Sequence, residues 1–507
     1  MLKLNVKKDS DKLFELFAFG ILVFLCAFIP LRNICEYYVG TAVKLVPDVL
    51  ILLLFFWHVW RVRFRLKFLP QDFFFLVFLL VAGINTVFIK HLGIGPFVFQ
   101  VRSLGIYYIF YFVIRNLRFE KRHLVIVLRV LQSCAVLLSL LGFVEKIYSK
   151  TLLFPAEWAK GIIFSSNYAR VYSLLNNPNT FGLFLTLLFF FSVVCFFVYE
   201  IRTSVLVYGI LVGTLLLTMS RSSLIAFGIG TVFVLLYLFF KKRAVLSLRF
   251  LLVCIAAFLY CFFVYAGILT GVLAYAVGAL FVGAYAFSRC RNFLSLRRAL
   301  AVAALLVIGV LLYRGALDCA KAYVDYKNAE QAGQGEDAQP DDKTQDLLKN
   351  PVVQESTKVE ANNRMENTLT EEERTHSAAD GRFYSLKTGF QIFREYPVLG
   401  TGFGTYGSAA SRNYNTYIDE QYDLSNNFYS DNEYIVVLVE TGAVGTLLFA
   451  LFLLSILWTY RRDYVKICAC ILIGWFGLFY NIFEVQIGAM LFWVFLSLQN
   501  GKKETEE

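Results

Sequence analysis

DGRFYSLKTGFQIFREYPVLGTGFGTYG, residues 380–407, and SDNEYIVVLVETGAVG, residues 430–445, flank a short polar span and decide how the rest of the chain is read. Together they close a long hydrophilic insert and return the chain to an apolar, membrane-like sequence. The first piece reads as an amphipathic helix. Phe383, Leu386, Phe390 and Phe393 share one face, and Ser385, Thr388, Gln391 and Glu395 the other. Asp380 is placed to cap this helix, and Pro397 with Gly400, Gly402 and Gly404 ends it and turns the chain. Arg382 falls in the first turn, where the helix dipole disfavours a cation. Either it is a solvated surface arginine, or it shares an anion with the open N–H groups of that turn.

Outward from this stretch, 58% of the 507 residues are apolar and the mean hydropathy is +0.62, whereas soluble domains run about 45–50% apolar. Aromatic residues make up 17%, mostly Phe and Tyr, which suits lipid-facing helices with interfacial belts. About fourteen runs approach the roughly 20 residues that cross a bilayer. They lie near 14–31, 46–60, 72–90, 97–115, 124–146, 181–200, 205–219, 222–240, 250–267, 270–287, 299–315, 432–459, 465–482 and 484–499. The expected fold is an all-α polytopic membrane protein of about 12–14 transmembrane helices. Residues 1–315 carry the first eleven, with a smaller outer loop at 147–180. Residues 316–431 form a large loop, and 432–507 hold the last helices and a tail.

The net charge of +11 does not indicate nucleic acid, because the cations cluster in short connectors. Arg61, Arg63, Arg65 and Lys67 form one cluster; Arg115, Arg118, Lys121 and Arg122 another; Lys241, Lys242 and Arg243 a third. Arg289, Arg291, Arg297 and Arg298 follow, then Arg461 and Arg462, and Lys502 and Lys503 close the chain. All fall on one side if the spans alternate, while Arg32 and Lys90 stand singly on the other. By the positive-inside bias both termini are cytoplasmic and the 316–430 insert lies outside. The first span lacks a small-residue cleavage site and reads as a retained anchor. Nearly all ten cysteines lie in or beside spans, and Cys468 and Cys470 fall on different helix faces, so neither disulfides nor zinc are expected.

On the outer side, Trp158, Tyr168 and Tyr172 suit either interfacial anchoring or stacking against sugar faces. Asn176, Asn177, Pro178 and Asn179 turn the chain and cap the next helix. Ser220-Arg221-Ser222-Ser223 makes a tight hairpin with Arg221 at a helix N-terminal end. A headgroup-seeking arginine is the alternative there, but the positive-inside bias depletes charge on that side. Arg102, close to Gln100, lies within a span; no span offers an obvious acidic partner, which makes it a second-rank site residue. Residues 320–379 are too polar to bury a core and read as mobile or loosely helical, leaving 380–431 as the functional part of the insert. No internal repeat is visible.

The available chemistry is narrow. There is no P-loop, no G-x-G-x-x-G placed after a strand and no H-E-x-x-H. His58, His91, His123 and His376 are scattered, and Asp9-Ser10-Asp11 lies in a charged tail, so no metal site is expected. What remains is a set of arginines and an acid–amide pair. Arginine forks bind diphosphate oxygens and never deprotonate. Arg221 and Arg382, each at a helix N-terminus, can clamp a diphosphate and stabilise it as a leaving group. Asp431 can accept the proton of an attacking hydroxyl, and Asn432, ahead of Tyr434, can orient a sugar or a phosphate. Both are also good N-caps, and capping is compatible with catalysis. Apart from Arg102 the spans are nearly free of charge, which disfavours a transporter or flippase for lipid-linked sugars.

In chain order, Arg382, the helix end Glu395-Tyr396-Pro397, the turn Gly400-Thr401-Gly402-Phe403-Gly404, and Asn432 with Glu440-Thr441-Gly442 resemble the signature of the bacterial O-antigen ligase and polysaccharide polymerase superfamily. Arg170 ahead of Asn177-Pro178-Asn179, and Ser220-Arg221-Ser222, resemble two more of its segments. The resemblance covers the second half well, the 176–223 region moderately, and the first five spans only in general character. It implies a GT-C-like helical glycosyltransferase without cofactor or metal. The implied reaction moves a glycan from undecaprenyl diphosphate to an acceptor outside the bacterial cytoplasmic membrane. A flippase and a chain-length regulator of the same pathway are the implied partners besides the bilayer. The candidate site is Asp431, Arg221 and Arg382 as catalytic residues, with Asn432, Tyr434, Arg102, Arg170, Asn179, Gly402 and Gly404 as substrate contacts. Ligases of this kind commonly carry His-Asn where this chain has Asp431-Asn432. The Asp-Asn form looks more like polymerases of capsular, exopolysaccharide or O-antigen repeat units, with ligase-type transfer as the alternative.

Overall fold

The computed structural model describes residues 2–117, 120–147, 170–240, 382–424 and 428–497. The runs expected at 250–267, 270–287 and 299–315, the polar stretch 320–379, Asp380, Trp158 and Tyr168 lie outside these residues. The described elements are α1 (Leu2–Val39), α2 (Val46–Arg61), α3 (Pro70–Ile84, continued by a π turn over Asn85–Ile89), α4 (Ile94–Ile114) and α5 (Lys121–Ile147). After the second gap come α6 (Pro178–Tyr199), α7 (Val205–Leu217) and α8 (Arg221–Phe240). The last group is α9 (Arg382–Glu395), α10 (Tyr417–Gln421), α11 (Glu433–Thr459), α12 (Tyr464–Phe476) and α13 (Gln486–Ser497). Among the described residues eight helices are long and apolar enough to cross a membrane, with shorter apolar helices at Val207–Leu217, Lys466–Phe476 and Gln486–Ser497. The chain is an all-α polytopic membrane protein.

Helix starts follow from local chemistry. α3 opens on Pro70, whose missing N–H is no loss in a first turn, and Asp72 Oδ2 accepts the Leu69 N–H at 2.5 Å. α6 opens on Pro178, with Asn177 Oδ1 accepting the N–H groups of Asn179 (2.8 Å) and Thr180 (3.2 Å). α11 lies along α3, α13 along α4, and α6 packs against α7, α8 and α13. Trp493 of α13 is buried between Tyr108 and Tyr111, with ring centroids 4.9 and 5.1 Å away. Such close aromatic packing matters in lipid, where no hydrophobic force holds helices together.

The spans are less free of charge than expected. Arg102 does have an acidic partner: its Nε donates to Asp48 Oδ2 at 2.5 Å, from α4 to the first turn of α2. Arg115, read as a connector cation, is buried instead, with Nη1 and Nη2 on the two oxygens of Asp72 at 2.7 and 2.5 Å. Glu145 is buried and accepts the N–H groups of Tyr172 and Ser173, at 3.2 and 2.7 Å. Hydropathy averages hide such groups because their partners lie far away in sequence.

Contacts sort the connectors into two ends. Arg61 meets Asp11, Arg115 meets the Lys67 carbonyl, and Tyr111 meets Tyr460. Among the described residues that end carries the Arg61–Lys67 and Arg461–Arg462 connectors. At the opposite end the turn after α3, the α7–α8 hairpin, the 382–432 segment and the α12–α13 loop meet.

Candidate active site

The site end is built on a broken helix. α11 loses helical geometry at Gly442 (φ 63°, ψ −166°), and the segment after α9 fills the break. Thr401 N–H donates to Val439 O and Gly402 N–H to Glu440 O, both at 2.9 Å. In return Ala443 N–H donates to Pro397 O (2.8 Å) and Val444 N–H to Val398 O (3.1 Å). Backbone groups opened by the break are thereby paired, as they must be away from water. The approach is so close that a Cβ on Gly442 would stand 2.4 Å from Val398 O, and one on Gly400 2.5 Å from Gly442 N. Both glycines also sit at positive φ, 63° and 73°.

Glu440 locks the splice. Its Oε1 accepts three successive backbone N–H groups, from Gly404 (3.0 Å), Thr405 (3.1 Å) and Tyr406 (3.1 Å). On the other side Asn85 Nδ2 donates to Leu399 O (2.7 Å), and Thr86 Oγ1 accepts the Phe403 N–H (2.9 Å). Gly402 and Gly404 are buried here, where a Cβ would lie 2.8 Å from Leu92 and 2.9 Å from Pro96. This geometry gives them a scaffold role in place of the expected substrate contact.

α9 packs its small and polar side against the protein. Ser385, Thr388, Gly389 and Ile392 face inward, while Phe383 is 60% and Phe390 52% exposed. A Cβ on Gly389 would stand 2.6 Å from Ile435 Cγ1, so only a small-residue face allows this approach to α11. Among the described residues α9 begins with Arg382.

Asp431 is held by its neighbours on both sides. Ser430 N–H donates to Gly407 O (3.2 Å), and the Ser430 and Ser385 hydroxyls meet at 2.8 Å. Asn432 caps α11, accepting the N–H groups of Tyr434 and Ile435 at 3.1 Å, and donates to Leu478 O at 3.2 Å. The capping role therefore falls to Asn432. Asp431, at φ 50°, is left to project its carboxylate toward the first turn of α9. There Arg382 Nη2 lies 3.8 Å from Asp431 Oδ2, with side chains 44% and 43% exposed. The Arg382 guanidinium lies 5.3 Å from the centre of the Phe479 ring. An exposed pair of this kind is worth about 0–1 kcal/mol, so an incoming anion can displace it at little cost. The enclosing protein raises the Asp431 pKa, while Arg382 and then Arg412 pull it down.

The loop between α12 and α13, residues 477–485, joins these parts, although hydropathy assigns most of it to two spans. Gly477 O and Tyr480 O accept the Glu433 N–H (2.9 and 3.2 Å), and Asn481 Nδ2 donates to Gly407 O (2.9 Å). Glu484 takes Gln100 Nε2 (2.6 Å) and the Ala409 N–H (2.9 Å). The Tyr480 hydroxyl meets Ser222 Oγ at 2.7 Å, and the residue is close enough to Arg382 and Asp431 to feel both charges. Tyr480 thus ties the Ser220–Ser223 hairpin to the α12–α13 loop, whose Phe479 O lies 3.4 Å from Arg382 Nη2. Arg221 leads α8 from that hairpin with its side chain exposed.

Arg170 and Asn179 are brought together, but as a clamp. Arg170 is 4% exposed, bonds Asn179 Oδ1, and donates from Nε to Thr218 O at 2.9 Å, fixing the hairpin from behind. Tyr434 gives its hydroxyl to Gly474 O (2.8 Å). Arg102 is committed to Asp48. Tyr480, Asn481, Glu484 and Arg412 were not singled out from the sequence. Asn481 and Glu484, polar in an otherwise apolar run, were the available signal.

The two spliced pieces, Gly400–Gly404 and Glu440–Gly442, are the motif pieces from which the resemblance was read. Residues 255–450 match the family model of O-antigen ligases. The match bears out the resemblance to the O-antigen ligase and polysaccharide polymerase superfamily, whose members are glycosyltransferase-like and act on lipid-linked glycans. Of the matched residues the structure describes 382–424 and 428–450. No curated protein matches the chain. Within the matched residues, the splice pairs buried backbone, and Arg382 and Asp431 stand partly exposed.

Proposed function

We propose that the protein is a membrane glycosyltransferase that polymerises undecaprenyl-diphosphate-linked repeat units into a surface polysaccharide, on the outer face of the bacterial cytoplasmic membrane. The observation that carries this reading is the loosely paired, half-exposed Arg382–Asp431 couple, pinned by Phe479 and Asn432 and joined through Tyr480 to the hairpin bearing Arg221. Arg382 and Arg221 hold the donor diphosphate, so the sugar C1–oxygen bond breaks with its electron pair going to diphosphate. The acceptor hydroxyl forms the new bond to C1 and gives its proton to Asp431. A carboxylate at neutral pH is a weak base when unperturbed, near 3.9; the raised Asp431 pKa brings it closer to the task. The aspartate where ligases commonly carry histidine favours polymerisation over transfer to a different acceptor.

The experiment uses purified protein in vesicles containing an undecaprenyl-diphosphate-linked repeat unit, without nucleotide or ion gradient and with a chelator present. Lengthening of the lipid-linked glycan is expected. Transfer only to an added non-repeat acceptor would make it a ligase, and movement across the bilayer without bond formation would make it a transporter.

A further inference from the structure

The outward face of α9 has a definite chemistry. At about 100° per residue, Phe390 and Phe383 share one side of that face, Lys387 and Arg394 lie beside them, and Leu386 leans inward against the Ile392–Ile435 cluster. Phe383, Phe390 and, just past the helix, Val398 are 60%, 52% and 61% exposed. The end of α9 adjoins the turn between α3 and α4. Asn85 Nδ2 binds Leu399 O, and Lys90 sits 4.3 Å from the Tyr396 ring centre. The α3–α4 turn next to them exposes Phe88 (70%), Ile89 (49%) and Ile94 (68%). Phe88 and Ile89 end one membrane-crossing helix, and Ile94 starts the next. Large apolar side chains with cations on one flank are the pattern of a helix lying in the lipid–water interface.

We propose that α9 is an interfacial helix embedded in the leaflet at the site end, with Phe383, Phe390 and Val398 among acyl chains. Lys387 and Arg394 lie among the phosphates of anionic lipids. This holds whether or not the protein elongates a glycan. Its consequence, that Arg382 at the start of α9 is carried at headgroup depth where a lipid-linked diphosphate lies, rests on the function proposed above.

The test uses the full chain reconstituted in mixed phosphatidylcholine–phosphatidylglycerol vesicles. Phe383→Trp and Phe390→Trp each add a fluorophore at an exposed position, read as the difference from wild type. Lipids brominated near the glycerol end of the acyl chain should quench the added emission, and aqueous iodide should not. Quenching by iodide alone would put the face in water. Quenching by neither would mean that other residues of the chain or a second copy cover it. Either outcome overturns the proposal. For the charged side, bromine carried by phosphatidylglycerol should quench at least about twofold more than the same bromine on phosphatidylcholine. That ratio should fall towards one in K387Q/R394Q. A ratio that starts at one, or survives the substitutions, overturns the headgroup assignment, and Phe383→Trp and Phe390→Trp give two separate readings of it.

Discussion

Two arginine–aspartate pairs, one near each end of the bundle, have the same chemistry and opposite roles. Arg115 and Asp72 are buried, 6% and 2% exposed, and joined by two short bonds, with the Tyr108 hydroxyl on the same carboxylate. Breaking such a pair strands a charge and costs about 3–5 kcal/mol. Arg382 and Asp431 sit 3.8 Å apart and close to half exposed, so their mutual attraction adds about 0–1 kcal/mol. A charge in a membrane protein is therefore not a functional site by default. The buried pair is fastened to the scaffold, whereas the open one keeps oxygen and N–H valences available to a ligand.

The largest expected effect falls on the open pair. Asp431→Asn should lower turnover about 10²–10⁴-fold, the usual loss for a general base, while the melting temperature in detergent stays near that of wild type. A variant within a few-fold of wild-type rate would remove the base role and leave Asp431 as a positioning group. Next comes the buried pair. Arg115→Gln should destabilise the fold by about 3–5 kcal/mol, seen as a large drop in melting temperature or loss of extractable protein. An unchanged melting curve would erase the contrast.

A smaller effect sharpens the electrostatics at the mouth. As a base, Asp431 works deprotonated, so the rate falls as pH drops through its pKa. That limb should lie above the ordinary aspartate range, because enclosure raises the pKa. Arg412 pulls the same pKa down, so Arg412→Gln should move the acid limb of kcat/KM to higher pH. A shift to lower pH would mean that another group sets the limb. The smallest effect concerns Arg102. Its tie to Asp48 is half open, at 35% and 10% side-chain exposure, so Arg102→Gln should lower stability modestly and leave turnover within a few-fold. Loss of turnover with an intact fold would return it to the site.

Much of the fold was legible because lipid writes its requirement as length. Each described span coincides with an apolar run, and Pro70, Pro178 and Asn432 mark helix starts by the chemistry of the first turn. The positive φ expected at Gly400, Gly402 and Gly404 is present. Three things were not legible, each because a distant partner decides it. The inward face of α9 is set by its approach to Ile435. The partner of Arg102 lies 54 positions away. The 477–485 loop, apolar enough to pass for span, is drawn into the site by Glu433, Gly407 and Gln100. At the site, Arg382 and Asp431 stood out as polar groups at helix starts, whereas Tyr480 gains meaning only from Ser222 opposite.

Gly442 also marks depth. It divides α11 into Glu433–Thr441 and Ala443–Thr459. At about 1.5 Å per residue the longer piece reaches about 25 Å, close to the roughly 30 Å of bilayer hydrocarbon. With Ala443–Thr459 crossing the hydrocarbon, the break lies near the height where acyl chains give way to headgroups, and the shorter piece, about 14 Å long, carries Asp431 past it. Under the proposed function, a donor whose phosphates are tied to the acyl layer would meet the carboxylate within that band. An added turn between Glu433 and Thr441 would raise the carboxylate away from it without replacing any residue of the site.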